Sequence, residues 1–416
     1  MAMPQNEKSK VLAIIGQGYV GLPLAMSAVG AGWRVIGIDS SETKVRGIND
    51  GISPVEDIDN FQLASAISTG KYSATADVKS VGLASVVAIC VPTPLDAKRE
   101  PDTSILEAAA QSIAPHLNSG TLVISESTSY PGTLRNLIIP VVEKFKRSEI
   151  SGLKFASAPE RVNPGDKKWS MRNTPRLVGG MDDFSTNAAV EFYGTFCQEV
   201  VRVDSPEVAE AAKLLENTFR LVNIALINEF TQICNAAHIN VHQVVDAAST
   251  KPYGYMPFRP GVGVGGHCIP VDPLYLTWWS KGLGTKANLV LSSDKINSEM
   301  PEFVAKKALA LISNKKENPN VLILGVAYKP GISDIRETPT NALRSSLISM
   351  GANVEWIDPL VSEWDGRKPV DYEWECDVAI VATNQPGLNI EKLIARDVKI
   401  LDCTNSYAGG KGITLL

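Results

Sequence analysis

Residues 261–273, GVGVGGHCIPVDP, place a histidine and a cysteine directly after a run of alternating glycines and close to two prolines. A structural cysteine usually lies inside an apolar strand or helix, where it packs as a small hydrophobic side chain. Cys268 instead follows glycines, which let the main chain adopt dihedrals closed to other residues and let a ligand approach it closely. The segment is typical of a functional site, and the chemistry of that site has to be inferred from other parts of the chain.

Lys213 and Asn217 form a second candidate group, because they are four residues apart and share one face of a predicted helix. The sequence leaves two interpretations open. The pair is either a catalytic ammonium and amide that point into a cleft, or two polar side chains that are solvated or bridge to a neighbouring carboxylate.

A dinucleotide site is predicted near the amino end. The apolar strand VLAII is followed by Gly16, Gly18 and Gly21 in GxGxxG spacing, then by a helical segment and the strand RVIGID. Such glycines permit a tight turn, the approach of backbone amides to a pyrophosphate and close packing of helix on strand. Asp39 ends the second strand, where a carboxylate accepts hydrogen bonds from ribose hydroxyls and repels a 2′-phosphate, so NAD is favoured over NADP. The alternative is a glycine-rich turn without a cofactor.

Polar residues follow three further predicted strands, VVAICV, TLVISE and LKFASA. The residues at these strand ends are Pro92, Thr93, Ser127, Thr128, Pro159 and Glu160. Ligands of a parallel sheet lie beyond the carboxyl ends of its strands, which makes Thr128 and Glu160 candidates for the reaction centre. Either residue alone is more often a turn residue or a helix cap.

A long helix is predicted to carry Lys213 and Asn217. Ser205 can cap it, Pro206 suits its first position, and the glutamates that follow suit its positive amino end. The helix is apolar on much of its circumference up to residue 237, which is typical of a helix buried between domains or at a subunit interface.

The last third of the chain restarts the alternation of strands and helices. Its first turn lacks GxGxxG, so we expect no second dinucleotide there, although Lys329 and Arg336 are basic groups suited to phosphate. We therefore predict an α/β fold class with two Rossmann-like doubly wound domains, residues 1–203 and 306–416, joined by a central helical domain over residues 204–305.

Composition restricts the possible partners. The 416 residues suggest two or three domains. With 40 basic and 45 acidic residues and no basic block, nucleic acid is not an expected partner. The polar start lacks the apolar core of a signal peptide, and no apolar run approaches the ~20 residues that span a bilayer. The six scattered cysteines indicate free thiols in a reducing cytoplasm.

Five segments together carry a family resemblance. They are GQGYVGLPLA, SAPERVNPG, KLLENTFRLVNIALINE, GVGVGGHCIPVDP and YKPGISDIRETP. In this order they resemble the UDP-glucose/GDP-mannose dehydrogenase family, and GGHCIPVDP resembles its branch acting on UDP-N-acetylhexosamines, the UDP-GlcNAc and UDP-ManNAc 6-dehydrogenases. UDP-glucose members typically carry a lysine where this chain has Val271, so the resemblance disfavours UDP-glucose. The segment LYLTWWSKG after the loop favours UDP-GlcNAc over UDP-ManNAc.

The resemblance implies an NAD-dependent four-electron oxidation of a sugar C6 hydroxymethyl group to a carboxylate, with Cys268 as the nucleophile. An aldehyde yields no second hydride until a group adds to its carbonyl. A thiolate adds to give a thiohemiacetal, whose oxidation leaves a thioester that water cleaves. The resemblance also implies a dimer core, so we expect a homodimer or a higher homo-oligomer.

Further roles follow from the resemblance alone. Lys213 would stabilise the developing oxyanion, Asn217 would bind near the reacting carbon, and Asp272 would organise proton transfer. Thr128 and Glu160 would place the hydrolytic water. The substrate contacts it implies are Glu160, Arg161, Val162, Lys213, Asn217, Arg259, Gly265 and Lys329. The cofactor contacts are Gly16, Gly18, Tyr19, Val20, Gly21, Asp39, Lys44, Pro92, Thr93, Ser127, Thr128 and Arg336.

Three alternatives from other classes stay open. His267 and Cys268 with His238 and His242 could bind a metal, but HINVH lacks the glutamate of HExxH, so no metal is expected. A hydroxyacid-type dehydrogenase of one hydride step shares the fold but has no use for Cys268. A non-catalytic sugar-nucleotide sensor would not need the cysteine together with Lys213 and Asp272.

Overall fold

The computed structural model describes residues 10–162, 168–312, 316–407 and 409–416. Residues 1–9, and residues 163–165 of the SAPERVNPG segment, lie outside the described residues. The chain divides into two compact units, a first unit that ends at Leu215 and a second unit from Glu216 to Leu416.

The first unit contains an eight-stranded sheet. Its strands are β1 (Val11–Ile15), β2 (Arg34–Ile38), β3 (Tyr72–Thr75), β4 (Val86–Ile89), β5 (Leu122–Ser125), β6 (Lys154–Ser157), β7 (Arg176–Gly180) and β8 (Val200–Arg202). Its helices are α1 (Gly21–Gly30), α2 (Glu42–Asn49), α3 (Asn60–Ser68), α4 (Ser104–Ile113), α5 (Ile139–Phe145) and α6 (Asp183–Tyr193). The strand order is β3-β2-β1-β4-β5-β6-β7-β8.

Continuous apolar runs form the central strands because both faces of the sheet are covered. All five residues of β1 are buried. Leu12 and Ile14 pack into one hydrophobic cluster, while Val11, Ala13 and Ile15 pack into another. A parallel strand covered on both faces needs such a run rather than alternating polarity, which confirms the prediction of a doubly wound sheet.

The direction of the chain reverses at β7. Ala156 of β6 pairs with Gly180 of β7 in an antiparallel register, whereas β1 to β6 pair in parallel. The first residue of β7, Arg176, therefore lies at the edge where β5 and β6 end. This reversal determines which side chains surround Glu160.

The second unit combines helices with a smaller sheet. Helix α7 (Pro206–Ala236) begins in the first unit and continues into the second. The other helices are α8 (Val241–Ser249), α9 (Asp272–Gly282), α10 (Asn288–Ala310), α11 (Pro339–Ser349) and α12 (Glu391–Ile394). The strands are β9 (Asn320–Leu324), β10 (Asn353–Ile357), β11 (Val378–Val381), β12 (Lys399–Asp402) and β13 (Ile413–Leu415). They form a parallel sheet in the order β10-β9-β11-β12-β13.

Helix α7 begins at Pro206 as predicted, and the Ser205 hydroxyl accepts a hydrogen bond from the amide of Val208 at 3.4 Å. One face of α7 is apolar and exposed in the single chain. We call it the apolar stripe, and its residues are Val208, Leu215, Phe219, Leu226, Phe230 and Ile233. Spacings of three, four and seven residues place them along one side of a helix. Within the described part of the chain, no helix has the length and apolarity needed to cross a bilayer.

Candidate active site

The glycine turn after β1 has the shape that a dinucleotide requires. Gly16 has a φ of +94°, and a Cβ there would lie 2.4 Å from the carbonyl oxygen of Cys90. A Cβ on Gly21 would lie 1.9 Å from the carbonyl oxygen of Gly16, whereas one on Gly18 would meet no described atom within 4 Å. Helix α1 begins at Gly21, and Val20 provides no side-chain cap at its amino end. The open side at Gly18, next to the amino end of α1, fits a pyrophosphate.

Asp39 is held in place at the end of β2. Its Oδ2 accepts hydrogen bonds from the Gln17 amide at 3.0 Å and Lys44 Nζ at 2.8 Å, and its Oδ1 accepts one from the Ser41 amide. Burial opposes the charge, but these hydrogen bonds outweigh it and lower the pKa of Asp39. Gln17, which sequence reasoning missed, is itself fixed by the hydroxyl of Tyr72 at 2.7 Å. The carboxylate is thus charged and oriented, as a ribose-binding group must be.

The residues that follow β4 and β5 lie side by side. Thr93 Oγ1 donates to the carbonyl oxygen of Thr128 at 2.7 Å, and Ser127 Oγ donates to the carbonyl oxygen of Val91 at 2.7 Å. The structure therefore brings together the loop of Pro92 and the loop of Thr128, as expected for adjacent parallel strands.

Glu160 lies in a buried ion cluster. Its Oε1 accepts the amides of Arg161 and Val162, each at 2.7 Å, and its Oε2 accepts Arg176 Nη1 at 2.7 Å. Arg176 also pairs with Glu126. Sequence reasoning missed both partners, although an arginine at the start of an apolar strand is a signal that could have marked the site.

Lys213 is buried on α7 in the first unit. Its positive charge is among the groups that lower the pKa of Glu160, after the larger effects of burial, which opposes them, and Arg176. One turn earlier, both oxygens of Glu210 accept backbone amides, from Gly132 at 2.7 Å and Leu134 at 3.1 Å. Lys213 thus follows a helical turn that is anchored to the segment after Thr128.

Cys268 lies in the second unit, in the turn before α9. The residue is exposed, and its carbonyl oxygen accepts the amide of Asp272, the first residue of α9, at 2.9 Å. The buried Asp272 carboxylate accepts a hydrogen bond from Asn217 Nδ2 at 2.5 Å. Asn217 and Asp272 are thus hydrogen-bonded although they are 55 residues apart in sequence. Asp272 follows the exposed Cys268 by four residues.

The glycines before Cys268 serve close packing. A Cβ on Gly265 would lie 2.7 Å from the Cβ of Tyr328, and one on Gly266 would lie 2.7 Å from the ring of Tyr328. The loop is also tied to the helices, because the Gly261 amide donates to Asn228 Oδ1 at 3.2 Å. The backbone before Cys268 is therefore fixed by sites where only glycine fits.

The predicted basic contacts lie in the second unit. Arg336 forms a two-pronged pair with Asp334, at 2.8 and 2.7 Å. Arg259 pairs with Asp246 and donates to the carbonyl oxygen of His242 at 3.2 Å. Lys329 is half-buried in the segment after β9. Among the described residues, no three His, Cys, Asp or Glu side chains converge in a way that could hold a metal ion.

Three family models match the chain in succession. Residues 10–197 match the NAD binding domain of the UDP-glucose/GDP-mannose dehydrogenase family, residues 207–299 its central domain, and residues 322–407 its UDP binding domain. The first match confirms NAD as the expected cofactor.

Named relatives match most of the chain. It is 35% identical to a UDP-N-acetyl-D-glucosamine 6-dehydrogenase of Pseudomonas aeruginosa over 86% of this chain and 85% of the relative. It is 36% identical to a UDP-N-acetyl-D-mannosamine dehydrogenase of Methanocaldococcus jannaschii over 85% of this chain and 80% of the relative. The solved structure of a UDP-D-ManNAc dehydrogenase from Pyrococcus horikoshii superposes with a TM-score of 0.88 at 31% identity, over 97% of this chain and 98% of that one. The chain therefore belongs to the UDP-glucose/GDP-mannose dehydrogenase family, as its five sequence segments predicted.

Proposed function

We propose that the protein oxidises C6 of a UDP-N-acetylhexosamine to the uronic acid through a covalent intermediate on Cys268. The observation that carries the proposal is an exposed cysteine placed four residues before the Asn217–Asp272 pair. A structural cysteine would be buried, and a dehydrogenase of one hydride step would need no thiol.

The reaction balances with two equivalents of oxidant. The alcohol and one water give a carboxylate, two NADH and three protons from two NAD. Held at the Gly16–Gly21 turn and Asp39, NAD would supply the hydride acceptor for each of the two oxidations. Cys268 adds to the aldehyde carbonyl as a thiolate, its carbon–sulfur bond persists through the second oxidation, and that bond breaks when water attacks the thioester.

The other side chains have assigned roles in this proposal. Lys213 stabilises the oxyanion that develops at C6, because a buried ammonium interacts strongly with a nearby negative charge. Asp272, held by Asn217, organises proton transfer. Thr128 and Glu160 place the hydrolytic water. Arg161, Val162, Arg259, Gly265 and Lys329 are proposed to contact the UDP-sugar, and Tyr19, Val20, Lys44 and Arg336 the cofactor.

The 2-acetamido group is the proposed specificity determinant. Relatives named for UDP-N-acetyl-D-glucosamine and UDP-N-acetyl-D-mannosamine are similar to this chain to almost the same degree, 35% and 36%. Val271, in place of the lysine typical of UDP-glucose members, supports an N-acetylhexosamine. We propose UDP-GlcNAc as the preferred substrate because segment 274–282 resembles that group of relatives.

The test is NADH production from a panel of UDP-GlcNAc, UDP-ManNAc, UDP-GalNAc and UDP-glucose. We expect two NADH per sugar consumed with a UDP-N-acetylhexosamine, no free aldehyde, and far slower turnover of UDP-glucose, because a site that hydrogen-bonds a substrate group strongly rejects the analogue without it. In Cys268→Ala, uronic acid formation should fall by roughly 10³-fold or more, while NAD and UDP-sugar still bind. The matched control is Cys376→Ala, a half-buried cysteine that should leave activity unchanged.

Each failure has its own meaning. One NADH per substrate would identify a dehydrogenase of one hydride step, and preference for UDP-glucose would overturn the acetamido assignment. Two NADH and normal acid formation by Cys268→Ala would show that water, not the thiol, adds to the aldehyde.

We also propose that the active form is a homodimer. The apolar stripe extends from Val208 to Ile233, and its side chains are 38 to 67% exposed in the single chain. Large contiguous apolar surfaces of this kind mark protein interfaces. A second copy of the same helix supplies a matching surface through two-fold symmetry. The cytoplasm stays the proposed location, on the basis of the reduced thiols.

A further inference from the structure

Arg176 is the centre of the ion cluster that contains Glu160. Its two Nη atoms donate to different carboxylates, Nη1 to Glu160 and Nη2 to Glu126. Tyr193 contacts Arg176 directly, because its ring centre lies 4.8 Å from the guanidinium carbon. It also contacts the partner of Arg176, because its hydroxyl donates to the second oxygen of Glu126. None of the four residues is more than 9% exposed, so water screens these interactions little.

The cluster contains two carboxylates for one guanidinium, and their environments differ. Glu126 is fully enclosed, and burial, together with the charge of Glu160, raises its pKa against the influence of Arg176. At Glu160, burial is outweighed by Arg176, the Val162 amide and Lys213, so its pKa is lowered. The buried thiol of Cys90 lies near the same charges. Burial raises its pKa, and the carboxylates of Glu126 and Glu160 raise that pKa further. The negative charge therefore concentrates on Glu160.

The orientation of Glu160 depends on Arg176. Among the described residues, backbone amides hold Oε1 of Glu160, and Arg176 provides the hydrogen bond that fixes Oε2. Glu126 holds the second nitrogen of the same guanidinium, and Tyr193 holds Glu126. These contacts form a chain from α6 through the ends of β5 and β7 to Glu160.

We propose that Arg176 is a positioning residue for the hydrolysis of the Cys268 thioester. Its guanidinium fixes the Glu160 carboxylate so that this group orients the attacking water, and Glu126 and Tyr193 keep the guanidinium in place. The proposal rests on the function proposed above. In the step concerned, the water oxygen adds to the acyl carbon and the carbon–sulfur bond breaks with its electron pair left on Cys268. The two protons of the water pass to the sulfur and to the solvent.

Arg176→Lys tests the proposal, because it keeps the charge and removes the two-pronged head. We expect kcat to fall about 10- to 100-fold with little change in KM, since a misplaced group mainly slows the step it serves. Rapid mixing should show a fast burst of two NADH per active site, followed by slow turnover. Intact-mass measurement after acid quench should show an adduct on Cys268 in this variant and not in the wild type.

The pH profile provides a readout that a purely structural role would not move. A lysine pairs less completely with both carboxylates, so the pKa of Glu160 rises. The acidic limb of the kcat profile should therefore shift to higher pH in Arg176→Lys.

Tyr193→Phe keeps the ring and removes only the hydroxyl that holds Glu126. It tests the proposal independently if Arg176→Lys does not fold. It should show the same adduct with a several-fold loss of kcat. The matched control is Arg344→Lys in the second unit, because Arg344 also lies over an aromatic ring and pairs with a carboxylate, Asp365. It should leave kcat unchanged and give no adduct.

The outcomes separate the two proposals. A wild-type enzyme that does not produce two NADH per sugar overturns the proposed function, and the role of Arg176 with it. If the wild type does so, a variant whose burst shrinks in proportion to kcat without an adduct shows that Arg176 only supports the fold. Normal kcat in both cluster variants would also overturn the proposal.

Discussion

Asp39 and Lys44 are the groups proposed to select the ribose of the cofactor. The carboxylate repels a 2′-phosphate, yet an ammonium already lies 2.8 Å from it. The positive charge that would bind a 2′-phosphate is therefore already present on Lys44, and in the native chain the Asp39 carboxylate neutralises it.

This geometry predicts that one substitution is enough to shift cofactor use. Asp39→Ser should raise the ratio of kcat/KM for NADP over NAD by roughly 10-fold or more, because each 1.4 kcal/mol changes the ratio tenfold and an ion pair with phosphate supplies that order of energy. Steady-state kinetics with both cofactors measures the ratio. Adding Lys44→Ala to Asp39→Ser should remove the gain, and an unchanged ratio in Asp39→Ser would refute the assignment of this carboxylate to the ribose.

At the scale of elements, the start of α7 carries two glutamates, Glu207 and Glu210, whose pKa values are shifted in opposite directions. Burial raises the pKa of Glu210 to about 7, although its two backbone hydrogen bonds oppose the rise. The hydrogen bond from Arg135 is the main cause that lowers the pKa of Glu207 to about 2. The helix that carries Lys213 is thus attached to the first unit by an acid that titrates near neutrality.

The sign of the resulting pH dependence follows from proton linkage. Because the folded pKa of Glu210 exceeds its ordinary value of 4.5, the folded state binds more protons between pH 4.5 and 7. Its contribution to stability is fully present below pH 4.5 and is lost as pH rises through 7, at most about 3 kcal/mol. Relative to wild type, Glu210→Gln should therefore gain stability as pH rises from 5 to 8, measured by thermal unfolding across that range.

Glu207→Gln is the matched control with the opposite sign. Its folded pKa is depressed, so the contribution of Glu207 is present above its ordinary pKa and is lost as pH falls towards 2. This variant should be less stable than wild type at neutral pH, and the difference should shrink in acid. Parallel pH curves for Glu210→Gln and wild type would contradict the raised pKa.

At the scale of the whole molecule, the apolar stripe predicts the assembly state. Leu226→Glu or Phe230→Glu should convert the proposed homodimer to a monomer, because a charge at the centre of an apolar interface loses its hydration without a partner. Light scattering coupled to size-exclusion chromatography measures the mass. Phe184→Glu, which changes an equally large exposed side chain away from the stripe, should leave the dimer intact. A wild-type monomer at micromolar concentration would rule out the dimer.

Local sequence patterns predicted much of the fold and part of the candidate site. An apolar strand, three spaced glycines and Asp39 specify a dinucleotide turn, because each requirement is met within about thirty residues. The start of α7 was equally predictable, since Ser205, Pro206 and the following glutamates satisfy the helix terminus locally. The family match confirms the fold class and the cofactor that these patterns indicated.

Only the tertiary structure decided the neighbours of the catalytic candidates. Arg176 comes to Glu160 because β7 runs antiparallel to β6, and strand direction depends on how a whole sheet assembles rather than on the polarity of five residues. Asn217 finds Asp272 across 55 residues, and Gly265 and Gly266 face Tyr328, which no local periodicity encodes. Residue type and short spacing thus determined which reactive side chains the chain carries. Long-range packing determined which partners, such as Arg176 for Glu160 and Asn217 for Asp272, orient those side chains.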